Sequence, residues 1–322
     1  MIHADGTKNK SNLGANSILS VSLACLKAGA KLNNMHLYEY INKHYNNAMT
    51  IPIPMMNIIN GGAHADNTLD IQEFMIFPQG LQNFHKALQA GVEIFHYLKK
   101  ILKKKTYNTN TGDEGGFAPS LKKNEEAIHI ILEAIEAAGY IPGQQISLAL
   151  DVAASELYNS KTKKYSLKSE KIELTSKQLI DYYAKLCNKY PIVSIEDGLD
   201  EEDWDGWKVL TERLGSSTQL VGDDIFATNT NRIKKGIKQN VANSVLVKIN
   251  QIGTISEVME AVNLSKENGY KTVVSHRSGE TEDTSIVSRL SSVSELFVTD
   301  AFAAAHRRSP TLTGFTNDNA FD

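Results

Sequence analysis

The chain has 322 residues, 41% of them hydrophobic and 22% charged, with a formal net charge of −3. So even a balance excludes a basic surface for nucleic acid or anionic membrane, and the length allows two domains or one barrel with an appendage. Two cysteines, Cys25 and Cys187, stand far apart without a CxxC partner, which excludes a disulfide framework or structural zinc and fits a reducing cytoplasm.

Taken in order, Asn12 to Lys31 reads as a helix and Leu37 to His44 as a shorter one. The run Ile18 to Leu26, flanked by Lys8 and Lys10, imitates a signal peptide, but Ile18, Val21, Leu23 and Leu26 also mark one face of a buried amphipathic helix. No apolar run approaches membrane-spanning length, so no membrane span is expected. Ile51-Pro-Ile-Pro-Met-Met-Asn-Ile-Ile starts a strand series, because prolines are tolerated at the start of a strand. Asn60-Gly-Gly-Ala-His-Ala-Asp is a glycine-rich loop, and Asp70 to Pro78 a second strand closed by its proline. Asn83 to Lys104 is a long helix with Leu88, Val92, Phe95 and Leu98 on its apolar face. A loop from Thr109 to Phe117 carries two acids, and Lys123 to Ala138 is a helix closed by Gly139.

From Ile146 onward the pattern repeats. Short apolar runs end on Asp151, Glu196, Asp223, Lys248 and His276, spaced 25 to 45 residues apart, which is room for one strand, one helix and two loops each time. In a closed parallel barrel such ends share one rim. Three carboxylates there, Asp151, Glu196 and Asp223, form the hard-oxygen set that magnesium prefers, although any one alone also reads as a helix cap or a solvated acid. Lys248 ends the run Val-Leu-Val-Lys, where apolar surroundings let a lysine lose its proton and act as a base; the alternative is a lysine snorkelling outward. Ser275-His-Arg-Ser-Gly-Glu suits a phosphate or carboxylate, or is a polar turn. Glu73 and Glu114, sharing a pocket, would raise one another's proton affinity and make a general acid; otherwise Glu73 is an outward strand residue and Glu114 a turn acid.

Five segments together resemble the enolase family: Met55-Met-Asn-Ile-Ile-Asn-Gly-Gly, Gly112-Asp-Glu-Gly-Gly, Val193-Ser-Ile-Glu-Asp-Gly, Lys248-Ile-Asn-Gln-Ile-Gly and Ser275-His-Arg-Ser-Gly-Glu-Thr-Glu-Asp. They stand in the family's order, and the resemblance runs from about Ala4 to about Val287. It implies an α/β fold, an enolase-type modified TIM barrel with a remnant of the family's N-terminal α+β domain. It also implies reversible dehydration of 2-phosphoglycerate to phosphoenolpyruvate in glycolysis, with Mg2+ as cofactor, a small phosphorylated hydroxy acid as partner, no nucleic acid, and a homo-oligomer in the intact family. Residue by residue, Asp151, Glu196 and Asp223 match the metal ligands, Lys248 the base at carbon 2, and Glu114 the acid that assists loss of the carbon-3 hydroxyl. Arg277 and Ser278 match the phosphate contacts, and His64, Gln72, Glu73 and His276 match other substrate-pocket residues. A lysine base working beside magnesium is an established feature of that superfamily.

The resemblance divides the chain into a helical remnant at 1–50, a catalytic barrel at 51–300 and a divergent, disordered tail at 301–322. It implies that most of the N-terminal domain, including a serine loop that closes over substrate, is absent. After Val287 the family continues to an eighth strand bearing a lysine for the substrate carboxylate. Here Arg289-Leu-Ser-Ser-Val293 reads as Asp-Leu-Ala-Val one base out of register, so a frameshift is the expectation. Whether Leu296 to Val298 pairs as the eighth strand is left open, as is a second reading of the chain as an inactive enolase fragment that serves as a binding protein. Another reaction on a different acid is disfavoured by the Ser275-His-Arg-Ser-Gly element.

Overall fold

The computed structural model describes residues 1–45, 51–275 and 296–299. Eight strands close into a barrel: β1 (Ile53–Asn60), β2 (Glu73–Phe77), β3 (Ser147–Asp151), β7 (Ile192–Glu196), β8 (Gln219–Gly222), β9 (Ser244–Val247), β10 (Lys271–Ser275) and β11 (Leu296–Thr299). Three more strands, β4 (Tyr158–Asn159), β5 (Lys164–Leu167) and β6 (Ile172–Leu174), form a separate antiparallel sheet after β3.

One strand runs against expectation. β2 is antiparallel to both β1 and β3, whereas β3 through β11 and back to β1 pair in parallel. Reversal puts the first residue of β2 on the rim where the other strands end. β11 pairs in parallel with both β10 and β1, so the question left open at Leu296 is answered by closure, which removes the exposed edges that seven strands would leave. Residues 276–295 and 300–322, including His276, Arg277, Ser278, Arg289 to Val293 and the tail, lie outside the described residues.

Alternation along the strands sorts their side chains. Met55, Met75, Phe77, Ala149, Val221, Leu246 and Val273 meet inside the barrel, and Met56, Phe74, Ile76, Leu148, Leu150 and Ile195 face the surrounding helices. The helices begin where the sequence supplies caps: Asn83 accepts from Lys86 N, Thr175 and Gln178 form a capping box, and Thr254 accepts from Glu257 N.

The first helices do not stand apart. Ala15–Leu32 and Leu37–Tyr45 bury Leu19 and Ile41 against Ile252, Val258, Met259 and Val262 of the 249–267 region. Lys10 Nζ reaches Glu257 Oε1 at 2.9 Å, and Ile255 N–H donates to Ser22 Oγ at 3.1 Å. At the junction Gly253 takes φ +89°, and a Cβ there would lie 3.1 Å from Ala15 Cα, so glycine is what lets the helix approach.

Candidate active site

The sheet register builds the site. Asn60 pairs with Glu73, Glu73 with Asp151, and Asp151 with Glu196, so four polar side chains from β1, β2, β3 and β7 form one row. Asp223 follows β8 by one residue and Lys248 follows β9 by one, extending that row around the rim. Glu73 and Lys248 are four strands apart in a ring of eight and therefore face each other across the barrel mouth, with the three carboxylates filling the arc between. Asp151, Glu196 and Asp223 are each more than nine-tenths buried.

Hydrogen bonds fix this arc. Gln72 Nε2 donates to Asp151 Oδ2 at 2.9 Å, and Ala153 N–H to Asp151 Oδ1 at 3.0 Å. Gln251 Nε2 donates to Asp223 Oδ1 at 2.9 Å, and Lys248 Nζ to Asp223 Oδ2. Thr228 Oγ1 accepts from Lys248 N–H at 3.0 Å, which sets where the lysine leaves the backbone. Ala153 and Asp197, just beyond Asp151 and Glu196, and Thr228, in the loop after Asp223, have φ of 47°, 41° and 51°, a left-handed strain of about 1–3 kcal/mol apiece that tends to gather at functional sites.

The electrostatics at Lys248 have two opposing causes. Burial pulls the Lys248 ammonium down, as apolar surroundings should, but Asp223, Glu196 and Asp151 outweigh it and hold the proton on above the ordinary lysine value. Burial pushes Asp151 from its ordinary 3.8 up to about 7, with Lys248 opposing and Asp223 adding to the shift. Burial, then repulsion from Asp151 and Asp223, drives Glu196 well above the usual carboxylate range. Three carboxylates against one ammonium leave an excess of negative charge that a divalent cation would relieve, and their oxygen donors suit a hard one. By charge and donor type the set fits a metal. The described groups of three whose ligating atoms all lie within 4.8 Å are, however, His64 with Glu73 and Glu114, and Asp197 with Asp223 and Asp224.

On the facing arc, His64 Nδ1 lies 3.9 Å from Glu73 Oε1 and 3.7 Å from Glu114 Oε1, which places the two glutamates at one pocket. Glu114 rides on a turn between Gly112 and Gly116, closed by Gly112 N–H on Gly116 O at 2.8 Å and tied down by Asp113 N–H on His64 O at 3.1 Å. Both glycines are steric necessities. A Cβ on Gly112 would come 2.8 Å from Asn60 Cβ, and one on Gly116 2.8 Å from Asn60 Oδ1 and 2.9 Å from Ile59 N. Asn57 and Asn60 are fully buried, and all four of their side-chain polar atoms lack a hydrogen-bond partner. An unmatched buried group costs about 1–3 kcal/mol.

Two groups carry weight that sequence reasoning gave them no part in. Asp197 accepts from the backbone N–H of Asp223 (2.9 Å) and Asp224 (3.0 Å), so it shapes the turn that presents Asp223. Its place beside Glu196 in Ser-Ile-Glu-Asp was the available signal. Gln251, three residues after Lys248, was visible in Lys-Ile-Asn-Gln in the same way.

Fold and rim together define an α/β barrel with one antiparallel strand and an acidic, lysine-bearing mouth. The chain matches the family description "Enolase, C-terminal TIM barrel domain" over residues 48–303 and "Enolase, N-terminal domain" over residues 1–41. It belongs to the enolase family. Among the described residues, no helix is long and apolar enough to cross a membrane.

Proposed function

We propose that this chain is an enolase in activity, a lyase that dehydrates 2-phosphoglycerate reversibly to phosphoenolpyruvate in the glycolysis of a cytoplasm. The observation that carries the reading is the placement of Lys248 opposite Glu73, with Glu114 beside Glu73 and the carboxylate arc between. Such a mouth offers opposed proton traffic at two adjacent carbons. Lys248 takes the proton from carbon 2, and Glu114 gives one to the departing carbon-3 hydroxyl. His64, Gln72 and Glu73 line the substrate pocket, and His276, Arg277 and Ser278 serve the phosphate and substrate end.

Asp151, Glu196 and Asp223 would hold a magnesium ion, which would supply positive charge for the substrate carboxylate, and with their charge balanced the attraction that keeps Lys248 protonated would weaken. The chain's own contribution is to hold Asp151 and Asp223 in place through Gln72, Gln251 and the Asp197 turn.

Phosphoenolpyruvate formation, followed by its ultraviolet absorbance with magnesium present, tests the reading. Lys248→Ala is expected to lower kcat by about 10²- to 10⁴-fold. A wild-type chain that makes no phosphoenolpyruvate with any divalent cation overturns the proposal, as does a Lys248→Ala variant of undiminished rate.

A further inference from the structure

The loop between β1 and β2 is held from two sides. On its inner side it closes on itself: Gly61 N–H donates to Gln72 O at 2.8 Å and Gly62 N–H to Leu69 O at 3.0 Å. A Cβ on Gly61 would collide with Ile71 O and lie 2.6 Å from Leu69 Cβ, so the two ends of the loop are in direct contact. On its outer side the anchor is Asp70, a carboxylate only 5% exposed that the proposed reaction does not use. Asn124, first residue of the helix Asn124–Ala137, donates from Nδ2 to Asp70 Oδ2 at 3.0 Å, and its Oδ1 accepts from Asp70 N–H at 3.0 Å and Ile71 N–H at 3.3 Å. Ser169, in the turn between β5 and β6, donates its N–H to Asp70 Oδ1 at 3.2 Å and its hydroxyl to Oδ2.

A cavity of about 760 Å3 lies between this loop and the small sheet, with Gly62, Asn67 and Thr68 on one wall and Leu157, Ser166 and Lys168 on the other. The bonds at Asp70 bridge two elements that face open space along this side, so they tie the loop to the position of the sheet. Two residues on stands Gln72. Ile71 before it is fixed by Asn124, its own carbonyl by Gly61, and Glu73 after it by pairing with Asp151 in the barrel. From that backbone the Gln72 amide reaches Asp151 Oδ2 at 2.9 Å.

We infer that Asp70 is a positioning residue: with Asn124 and Ser169 as its partners it sets where the Gln72 amide meets Asp151, and through that bond how Asp151 is offered to a divalent cation. A carboxylate suits the task because it accepts from several donors at once, through hydrogen bonds roughly twice as strong as neutral ones. The inference rests on the proposed reading of Asp151 as a magnesium ligand.

The test is a double-mutant cycle on magnesium affinity, measured by calorimetric titration of the full chain with unfolding temperature alongside. Asp70→Asn keeps the shape but gives up the charge and sets an amide NH2 against donors. It should weaken magnesium binding by about three- to tenfold, less than the roughly 10- to 100-fold typical of a direct partner of a metal ligand such as Gln72. On a Gln72→Leu background the same change should weaken it by less than about twofold, because the bond it acts through is already gone. Should Asp70→Asn fail to fold, Ser169→Ala, which removes only the hydroxyl donor, takes its place in the cycle with the same non-additivity expected. An Asp70→Asn variant that melts lower and adds its full effect to that of Gln72→Leu shows a merely structural carboxylate, and the inference fails. Unchanged magnesium affinity also overturns it. A wild-type chain that binds magnesium but makes no phosphoenolpyruvate defeats the lyase reading alone, and the cycle still decides the role of Asp70; one that binds no magnesium overturns the inference outright.

Discussion

The two arcs of the barrel mouth are built on opposite principles. Along β3, β7, β8 and β9 the polar groups are charged and held: Asp151 by Gln72 and Ala153 N–H, Asp223 by Lys248 and Gln251. Along β1 they are neutral amides that the protein leaves unmatched. The first arc is an over-negative cluster that already has a partial counter-charge, so a cation entering it must reorganise existing bonds. The second is sealed, with hydrogen-bonding capacity that the fold leaves unused. Ion pairing with Lys248 marks one side, while on the other two uncharged amides stand beside the carboxylates of Glu73 and Glu114, a juxtaposition that follows from strand direction, since reversing β2 brings Glu73 to the rim beside Asn60.

The largest effect should come from removing the counter-charge. Lys248→Met leaves buried carboxylates uncompensated, a loss of about 3–5 kcal/mol for breaking a buried pair. Its pH dependence has a definite sign. Asp151 is raised on folding from 3.8 to about 7, so in metal-free protein its ionisation weakens the fold progressively as pH rises through that interval. Lys248, held above its ordinary value, keeps its proton until pH climbs past the lysine range, and what that charge contributes grows as the carboxylates beside it ionise. The variant should therefore be close to wild type near pH 4 and most destabilised near pH 8, and added magnesium should recover part of the difference. Denaturant unfolding at both pH values, with and without the cation, measures this; equal loss at both means that the arc is not a charge cluster.

A smaller change should disturb the neutral arc. Gly116→Ala forces a Cβ to within 2.8 Å of Asn60 Oδ1 and 2.9 Å of the Ile58 and Ile59 backbone, where nothing yields cheaply. Overpacking of this kind costs about 1–3 kcal/mol. Since the turn between Gly112 and Gly116 aims Glu114, phosphoenolpyruvate formation should drop further than stability does. Gly139→Ala is the contrast: it meets no atom within 4 Å, and only its φ of +87° opposes the change. It should lower unfolding stability by about 1 kcal/mol and leave activity intact.

Most of the charged arc was legible because it depends on where a strand stops. Apolar runs ending on Asp151, Glu196, Asp223 and Lys248 announce a common rim once the strands are parallel, and four β-formers in a row need no tertiary knowledge to recognise. The direction of β2 was not legible. Ile-Gln-Glu-Phe-Met-Ile-Phe reads equally well either way, and the twelve-residue connection from β1 carries none of the two-residue turn signals that mark a hairpin. The small sheet β4–β5–β6 was missed because its strands are two to four residues long and set between lysine-bearing turns. The carboxylates that oppose burial at Lys248 were not legible for a physical reason: the residues beside it in sequence are apolar, but those beside it in space are Asp223, Glu196 and Asp151. Asn57 and Asn60 sat inside a quoted motif, yet an asparagine's lack of partners is a property of the fold alone.

The smaller of the two pH-dependent effects tests whether the two arcs act as one. Gln72 belongs to the loop entering β2, on the neutral side, yet its amide donates to Asp151 on the charged side. A donor to a carboxylate stabilises the ionised form, and near pH 5 a group raised to about 7 is mostly protonated, so the bond is weaker there. Gln72→Leu should thus cost about 1–2 kcal/mol near pH 8 and less near pH 5, the opposite of what loss of simple packing would give, which is the same cost at both. Independent arcs would confine the change to stability, magnesium affinity and the KM for 2-phosphoglycerate that Gln72 serves directly. Coupled arcs would also lower kcat, because Asp151 and the loop carrying His64 would no longer share a fixed spacing. Calorimetric titration with magnesium, set beside steady-state kinetics on the same variant, separates these two outcomes.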